Sequence, residues 1–176
     1  MAQVSTIRPV TPAATLSTGR DFHRAFELCF SNGLPFFNGK SFPSIPAVVC
    51  LAFACELALK SIIMARTSLA VDGHELSSLF SKLDPKVRAD VLSSVRQTES
   101  EVTQELQAAG NAFREWRYLH ETPGYHTINI PFLRSFWEAL EPIAERCARA
   151  NNAHVAPPKR HGSASGAVER VPRPGP

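Results

Sequence analysis

The run "AVVCLAFACELALKSIIMA", residues 47–65, is the most informative stretch of this chain. Nearly every position is apolar, so a helix here has no polar face to turn to water. A helix that is apolar all round belongs either at the centre of a bundle or in a bilayer. Length alone permits a span, which takes about 20 residues. Glu56 and Lys60 argue against lipid, because they sit mid-run and charges at mid-span are costly. Four residues apart, they share one helix face and can pair there. The run is therefore read as the buried central helix of a bundle, with no membrane partner. Ser44 is its expected N-cap, and Pro46 falls in the first turn, where a missing N–H costs little.

The flanking segments supply amphipathic partners. Phe22, Ala25, Phe26, Cys29 and Phe30 form one stripe at helical spacing, and "SNGLP" (31–35) stops it. "DGHELSSLFSKL" (72–83) reads as a turn and a short helix. His74, after Asp72-Gly73, is expected to order that turn. Asp84-Pro85 opens the next helix, lined by Val87, Val91 and Val95. A fifth is expected from about Glu101 to Leu119, with Val102, Leu106, Ala109, Phe113 and Trp116 inward. "TPG" (122–124) closes it, and "YHTINI" (125–130) is a connector. Asn129 and Pro131 start a last helix, with Phe132, Phe136, Leu140, Ile143 and Cys147 inward and Pro142 as a weak point. No strand pair is visible. The expected class is all-α, an antiparallel helical bundle of about five or six helices.

Composition sets the limits of that bundle. The chain has 176 residues and is 44% hydrophobic, which suits one domain with a real core. Half of the fourteen prolines lie in residues 1–16 or 151–176. Those ends also lack apolar periodicity. The expected division is a flexible arm over 1–16, the bundle over 17–150 and a disordered tail over 151–176. The net charge of +3 resides in the tail, where Lys159, Arg160, Arg170 and Arg173 face only Glu169. The body is neutral, which excludes a broad basic nucleic-acid cradle; the tail adds at most non-specific attraction to a polyanion. The N-terminus has no apolar leader, and Cys29, Cys50, Cys55 and Cys147 form no Cys-x-x-Cys pair. They are read as reduced thiols in a cytoplasmic protein.

The polar chemistry concentrates in "NAFREWRYLHE", residues 111–121. Together with "ACELALKSIIMA" (54–65) and "DGHELSSLFSKL" it resembles the HEPN superfamily of small helical bundles. The resemblance covers roughly residues 42–140. It implies an antiparallel bundle that often dimerises, with partners in RNA biology, host defence or toxin–antitoxin pairs. Catalytic HEPN members are metal-independent endoribonucleases with an Arg-x(4–6)-His motif, their sites forming across a dimer. Arg114 and His120 match that spacing. On this reading His120 is the proton-transfer group, Arg114 a catalytic cation, Arg117 and Tyr118 substrate-binding residues, and Glu121 the residue that orients an arginine. The chain continues His120-Glu121-Thr122, where active subfamilies often have His-x-Tyr, and Trp-Arg-Tyr followed by Glu resembles members without assigned activity.

The residue types suit metal-free RNA cleavage. Histidine exchanges protons near neutral pH, and arginine holds phosphate oxygens in a bidentate fork. The wheel geometry is less simple. At about 100° per residue, His120 falls within the apolar stripe and Arg114 lies about 120° away. The groups meet only if the helix ends before His120 or if they meet across a dimer. The competing reading is structural: His120 half-buried over the stripe, Arg117 paired with Glu121, and Arg114 in water. Trp116, Tyr118 and Trp137 are candidate base-stacking rings. Neither His126 with Glu121 nor the cysteines have metal-ligand spacing, so no metal or cofactor is implied. No phosphate-binding glycine loop or Ser-His-Asp set is present. Two functions remain open. One is an RNA-interacting HEPN-like homodimer, as an endoribonuclease or a toxin held by an antitoxin. The other is a non-catalytic dimerising protein-interaction module.

Overall fold

The computed structural model describes residues 10–30, 44–110 and 128–155. Among these the chain forms six helices and no strand: α1 (Pro12–Phe30), α2 (Ser44–Thr67), α3 (Leu76–Ser81), α4 (Pro85–Val95), α5 (Glu99–Ala109) and α6 (Ile130–Val155). The protein is an all-α bundle. The helix boundaries follow local chemistry. Asp84 accepts the Lys86 N–H at 2.9 Å with Pro85 at the first helical position. Thr98 and Glu101 form a reciprocal capping box at α5. Asn129 accepts the Phe132 N–H at 3.0 Å.

α2 is the hub. It packs against α1, α3 and α6, while α4 packs on α6 and α3 on α5. Leu51, Ala54, Cys55, Ala58, Leu59 and Ile62 of α2 are fully buried. Residues 46–67 are long and apolar enough to cross a membrane, but 72% of the most apolar window is buried inside the bundle. The absence of a polar face is thus answered by helices on several sides. α1 runs antiparallel to α2: Ser61 Oγ donates to the Pro12 carbonyl at 2.8 Å, and Phe22 meets Phe53 edge-on at 4.5 Å. α6 runs parallel to α2, with the Cys55 thiol donating to the Leu133 carbonyl at 3.6 Å and Asn151 donating to the Ala65 carbonyl at 3.2 Å.

Two expected boundaries shift. Residues 12–16 belong to the bundle, not to an arm. Thr11 Oγ1 accepts the Ala14 N–H at 3.1 Å, Pro12 begins the helix, and Leu16 is buried. Proline at a first helical position starts a helix rather than excluding one. Likewise α6 continues to Val155, past the expected limit at residue 150. It also runs unbroken through Pro142, an exposed position where the carbonyl released by the missing N–H can be solvated. α5 is described only to Ala109 with Gly110 as its cap, so its expected continuation to Leu119 lies outside the described residues.

α1 and α2 approach closely at Gly19. A Cβ there would meet Leu57 Cβ at 3.3 Å and the Ala54 carbonyl oxygen at 3.4 Å. Glycine is used here for close approach, not for turning. Gly19→Leu is expected to lower unfolding free energy by about 1–3 kcal/mol through overpacking. Gly19→Ala should stay near native, since a gain of about 1 kcal/mol in helix propensity opposes the crowding. Urea denaturation measures both, and equal losses would refute a close-packed crossing.

Candidate functional site

Glu56 is the chemical centre of the described structure. Its position is set by α2, most of which is covered by other helices, so the carboxylate is carried inside with it. It is 2% exposed, and among the described residues it is the one charged side chain in the buried set. An isolated buried carboxylate is unfavourable. Here it is compensated twice at one oxygen: Oε1 lies 2.8 Å from Lys60 Nζ and 3.0 Å from His74 Nδ1. Lys60 is also largely buried, its side chain 13% exposed, whereas that of His74 is 55% exposed.

The expected Glu56–Lys60 pairing is present at the anticipated i,i+4 spacing. His74 holds the turn, but by a bond to α2 and not by a capping contact at α3. The α3 N-cap is Glu75, without a side-chain cap bond, while His74 reaches across to α2. Gly73 has φ +97°, a left-handed conformation that favours glycine, and it brings the chain round so that this reach is possible. An ionised carboxylate only accepts hydrogen bonds, so Nδ1 carries a proton. Neutral His74 therefore keeps its lone pair on Nε2. The arrangement is a buried carboxylate orienting a half-exposed imidazole, a pairing suited to proton transfer or to holding a turn.

The residues 114, 117, 118, 120 and 121 that carry the predicted RNA chemistry lie outside the described residues, as do Trp116 and His126. Both described ends of their segment attach to the body. Gly110, the last residue before it, sits beside α3: a Cβ there would meet Glu75 Cγ at 3.5 Å. After it, Asn129 Nδ2 donates to Glu105 Oε1 at 2.9 Å. Gly110 thus lies next to Glu75, the residue that follows His74.

A second polar cluster, not anticipated from the sequence, joins α1 to α6. The His23 ring stacks on Trp137 at 4.9 Å and 12°. Arg134 Nη2 donates to Glu27 Oε1 at 3.1 Å, and its guanidinium lies 5.8 Å from the centroids of Phe26 and Phe30. Arg20 bridges Glu141 and Glu145, and Arg149 also reaches Glu145. Arg20, His23, Arg24, Glu27, Trp137 and Glu141 line a shallow cleft of about 380 Å³. Trp137 is only 4% exposed under His23, which corrects its expected use as a base-stacking ring. A groove of about 530 Å³ between α4 and α6 holds Asp90, Glu138 and three serines, but no imidazole or thiol. Its Ser94 hydroxyl is engaged by the Asp90 carbonyl at 2.9 Å.

Comparison with known proteins finds no matching family model, no matching curated protein and no matching solved structure.

Two predictions test these clusters. Lys60→Met leaves Glu56 with His74 as its remaining described partner and should cost about 3 kcal/mol. Glu56→Leu with Lys60→Met should recover part of that loss, because it removes both buried charges. A double variant as unstable as the sum of the singles would refute the coupling. Burial lowers the His23 pKa from its usual 6.5, assisted by Arg134 and opposed by Glu27, Glu138 and Glu141. Folding therefore favours neutral His23. That contribution is complete above the unfolded value and is lost as pH falls through the folded one. Between about pH 7 and 5.5, urea midpoints should fall more steeply for the native chain than for His23→Gln; parallel slopes would contradict this.

Proposed function

We propose that this chain is a HEPN-like, cytoplasmic RNA-interacting protein that acts as a homodimer and cleaves RNA without a metal. The observation that carries the reading is the Glu56–Lys60–His74 tie. It joins the apolar Glu/Lys helix to the Gly-His-Glu-Leu turn, two of the three parts of the resemblance. The third part, residues 111–121, is connected at Gly110, next to Glu75. Two of the three sequence signals thus meet through side chains in the described bundle.

On this reading Arg114 and Arg117 hold the phosphate, and His120 exchanges the proton of the ribose 2′-hydroxyl as it attacks phosphorus. Tyr118 stacks on a base. Glu121 orients an arginine. The products are a 2′,3′-cyclic phosphate and a 5′-hydroxyl, and no metal enters the step. A regulatory antitoxin is one partner class for such an activity.

A second reading, a non-catalytic dimerising interaction module, has its own support. Arg20, Arg66, Arg88, Arg134 and Arg149 are all engaged in ion pairs. These five cations are thus neutralised by the body's own carboxylates, and on the RNA reading contact rests on the 111–121 segment.

The test is RNA cleavage in chelator, resolved on a denaturing gel. The native chain should cut. His120→Ala and Arg114→Ala should each lose about a hundredfold or more in rate. No cutting of structured or single-stranded RNAs selects the interaction module, and equal cutting by all three proteins excludes this site.

A further inference from the structure

The α4–α6 groove of about 530 Å³ carries charge that the described body does not neutralise. Asp90 of α4 and Glu138, Pro142 and Arg146 of α6 line it, over a floor that includes the buried Ala139 and Ile143. Among the described residues Asp90, Glu138 and Arg146 have no ion-pair partner, whereas Arg20, Arg66, Arg88, Arg134 and Arg149 all have one. Glu138, Pro142 and Arg146 follow each other at four-residue steps, so they share one face of α6. Pro142 has no N–H to give the Glu138 carbonyl, which leaves a further acceptor beside that carboxylate. Along α6 the groove thus presents a guanidinium, an apolar middle, and a carboxylate with an open carbonyl. Asp90 adds a second carboxylate from the facing wall.

The chain that follows α6 carries the complementary pattern. α6 ends at Val155, and residues 156–176 hold Lys159, Arg160, Arg170 and Arg173 against one acid, Glu169. Glu138 and Arg146 are eight residues apart on a helix, about 12 Å at a rise of about 1.5 Å per residue. Glu169 and Arg173 are four residues apart, about 13 Å in extended chain at about 3.3 Å per residue. Val171 and Arg173 each precede a proline, which biases both to extended backbone. In that conformation Glu169, Val171 and Arg173 share a face, in the order acid, apolar, base. A segment running antiparallel to α6 sets this order against Arg146, Ile143 and Glu138. The return path is short. Arg146 lies nine residues before Val155, about 14 Å, whereas residues 156–168 span up to about 40 Å. "GSASGA" (162–167) has only small side chains with which to reverse direction.

We propose that residues 169–173 dock in the α4–α6 groove of their own chain, with Glu169 on Arg146, Val171 over Ile143, and Arg173 between the carboxylates of Glu138 and Asp90. α4 packs on α6, and the docked segment straps the two helices together. Exposed ion pairs of this kind are individually weak. The tether makes them sufficient, because a short link to α6 holds the segment at an effective concentration on the order of millimolar.

The experiment is cleavage of the full-length chain by a glutamate-specific protease, read as the initial rate of release of residues 170–176 by mass spectrometry. Glu169 is the one acid in residues 156–176, so a single bond reports docking. That bond should be cut more slowly in the chain than in a synthetic peptide of residues 156–176. Glu138→Arg should accelerate the cut about fivefold, the factor supplied by one surface ion pair at the strong end of the usual range. Arg173→Glu should do the same, and the two together should recover most of the protection. The comparison of native chain with peptide needs no variant. A native chain cut as fast as the peptide, variants cut no faster than the native chain, or a double variant no slower than the singles would each overturn the proposal. Protection that falls on dilution would place the segment on a second copy and overturn docking within one chain.

Discussion

A carboxylate inside an apolar bundle constrains everything around it. Glu56 has no route to water, so its partners must come from the protein, and their positions then determine how neighbouring segments run. Lys60 is available automatically, one helical turn away. His74 is not. To bring its Nδ1 to 3.0 Å, the chain must leave α2, turn through Gly73 and enter α3 beside the same face. The interaction therefore specifies a tertiary connection, whereas apolar contacts accept many neighbours of similar volume.

The outer ion pairs have the same character at lower energy. Arg66–Asp84 joins α2 to the start of α4, Arg88–Glu99 joins α4 to α5, and Arg20 and Arg134 join α1 to α6. Exposed pairs of this kind contribute about 0–1 kcal/mol each. Their value lies in choosing partners. Asp84 shows the economy: one oxygen caps α4 through Lys86 N–H and the other accepts from Arg66, so a helix start and a helix neighbour are set by one residue.

How much of this was legible depended on range. α2 was legible because residues 47–65 leave no polar face, and Glu56 and Lys60 announce their own pairing by spacing. The α4 and α6 starts were legible because Asp84, Pro85 and Asn129 act within a turn. Pro12 was misjudged because proline frequency was weighed over a segment, whereas its effect is decided at one position, next to Thr11. The His74–Glu56 bond and the His23–Trp137 stack were invisible for another reason. Each joins residues on different elements, and no periodicity encodes which faces of two helices will meet. For Arg114, Arg117, Tyr118, His120 and Glu121, the sequence speaks only through residue types and resemblance.

That difference in range bears on where chemistry can arise in this fold. The α1–α2 crossing has a close steric contact at Gly19, and what faces across it follows from helical periodicity. The α2–α3 junction is set by charge, and it holds an imidazole with a defined tautomer and an accessible edge. Packing positions groups by their spacing along a helix, without any selection for polarity. A buried carboxylate positions groups by hydrogen-bond demand, so it also controls where a proton resides. The second kind of placement is the one that acid–base chemistry requires, and in this fold it is found where a turn is drawn onto the central helix by His74.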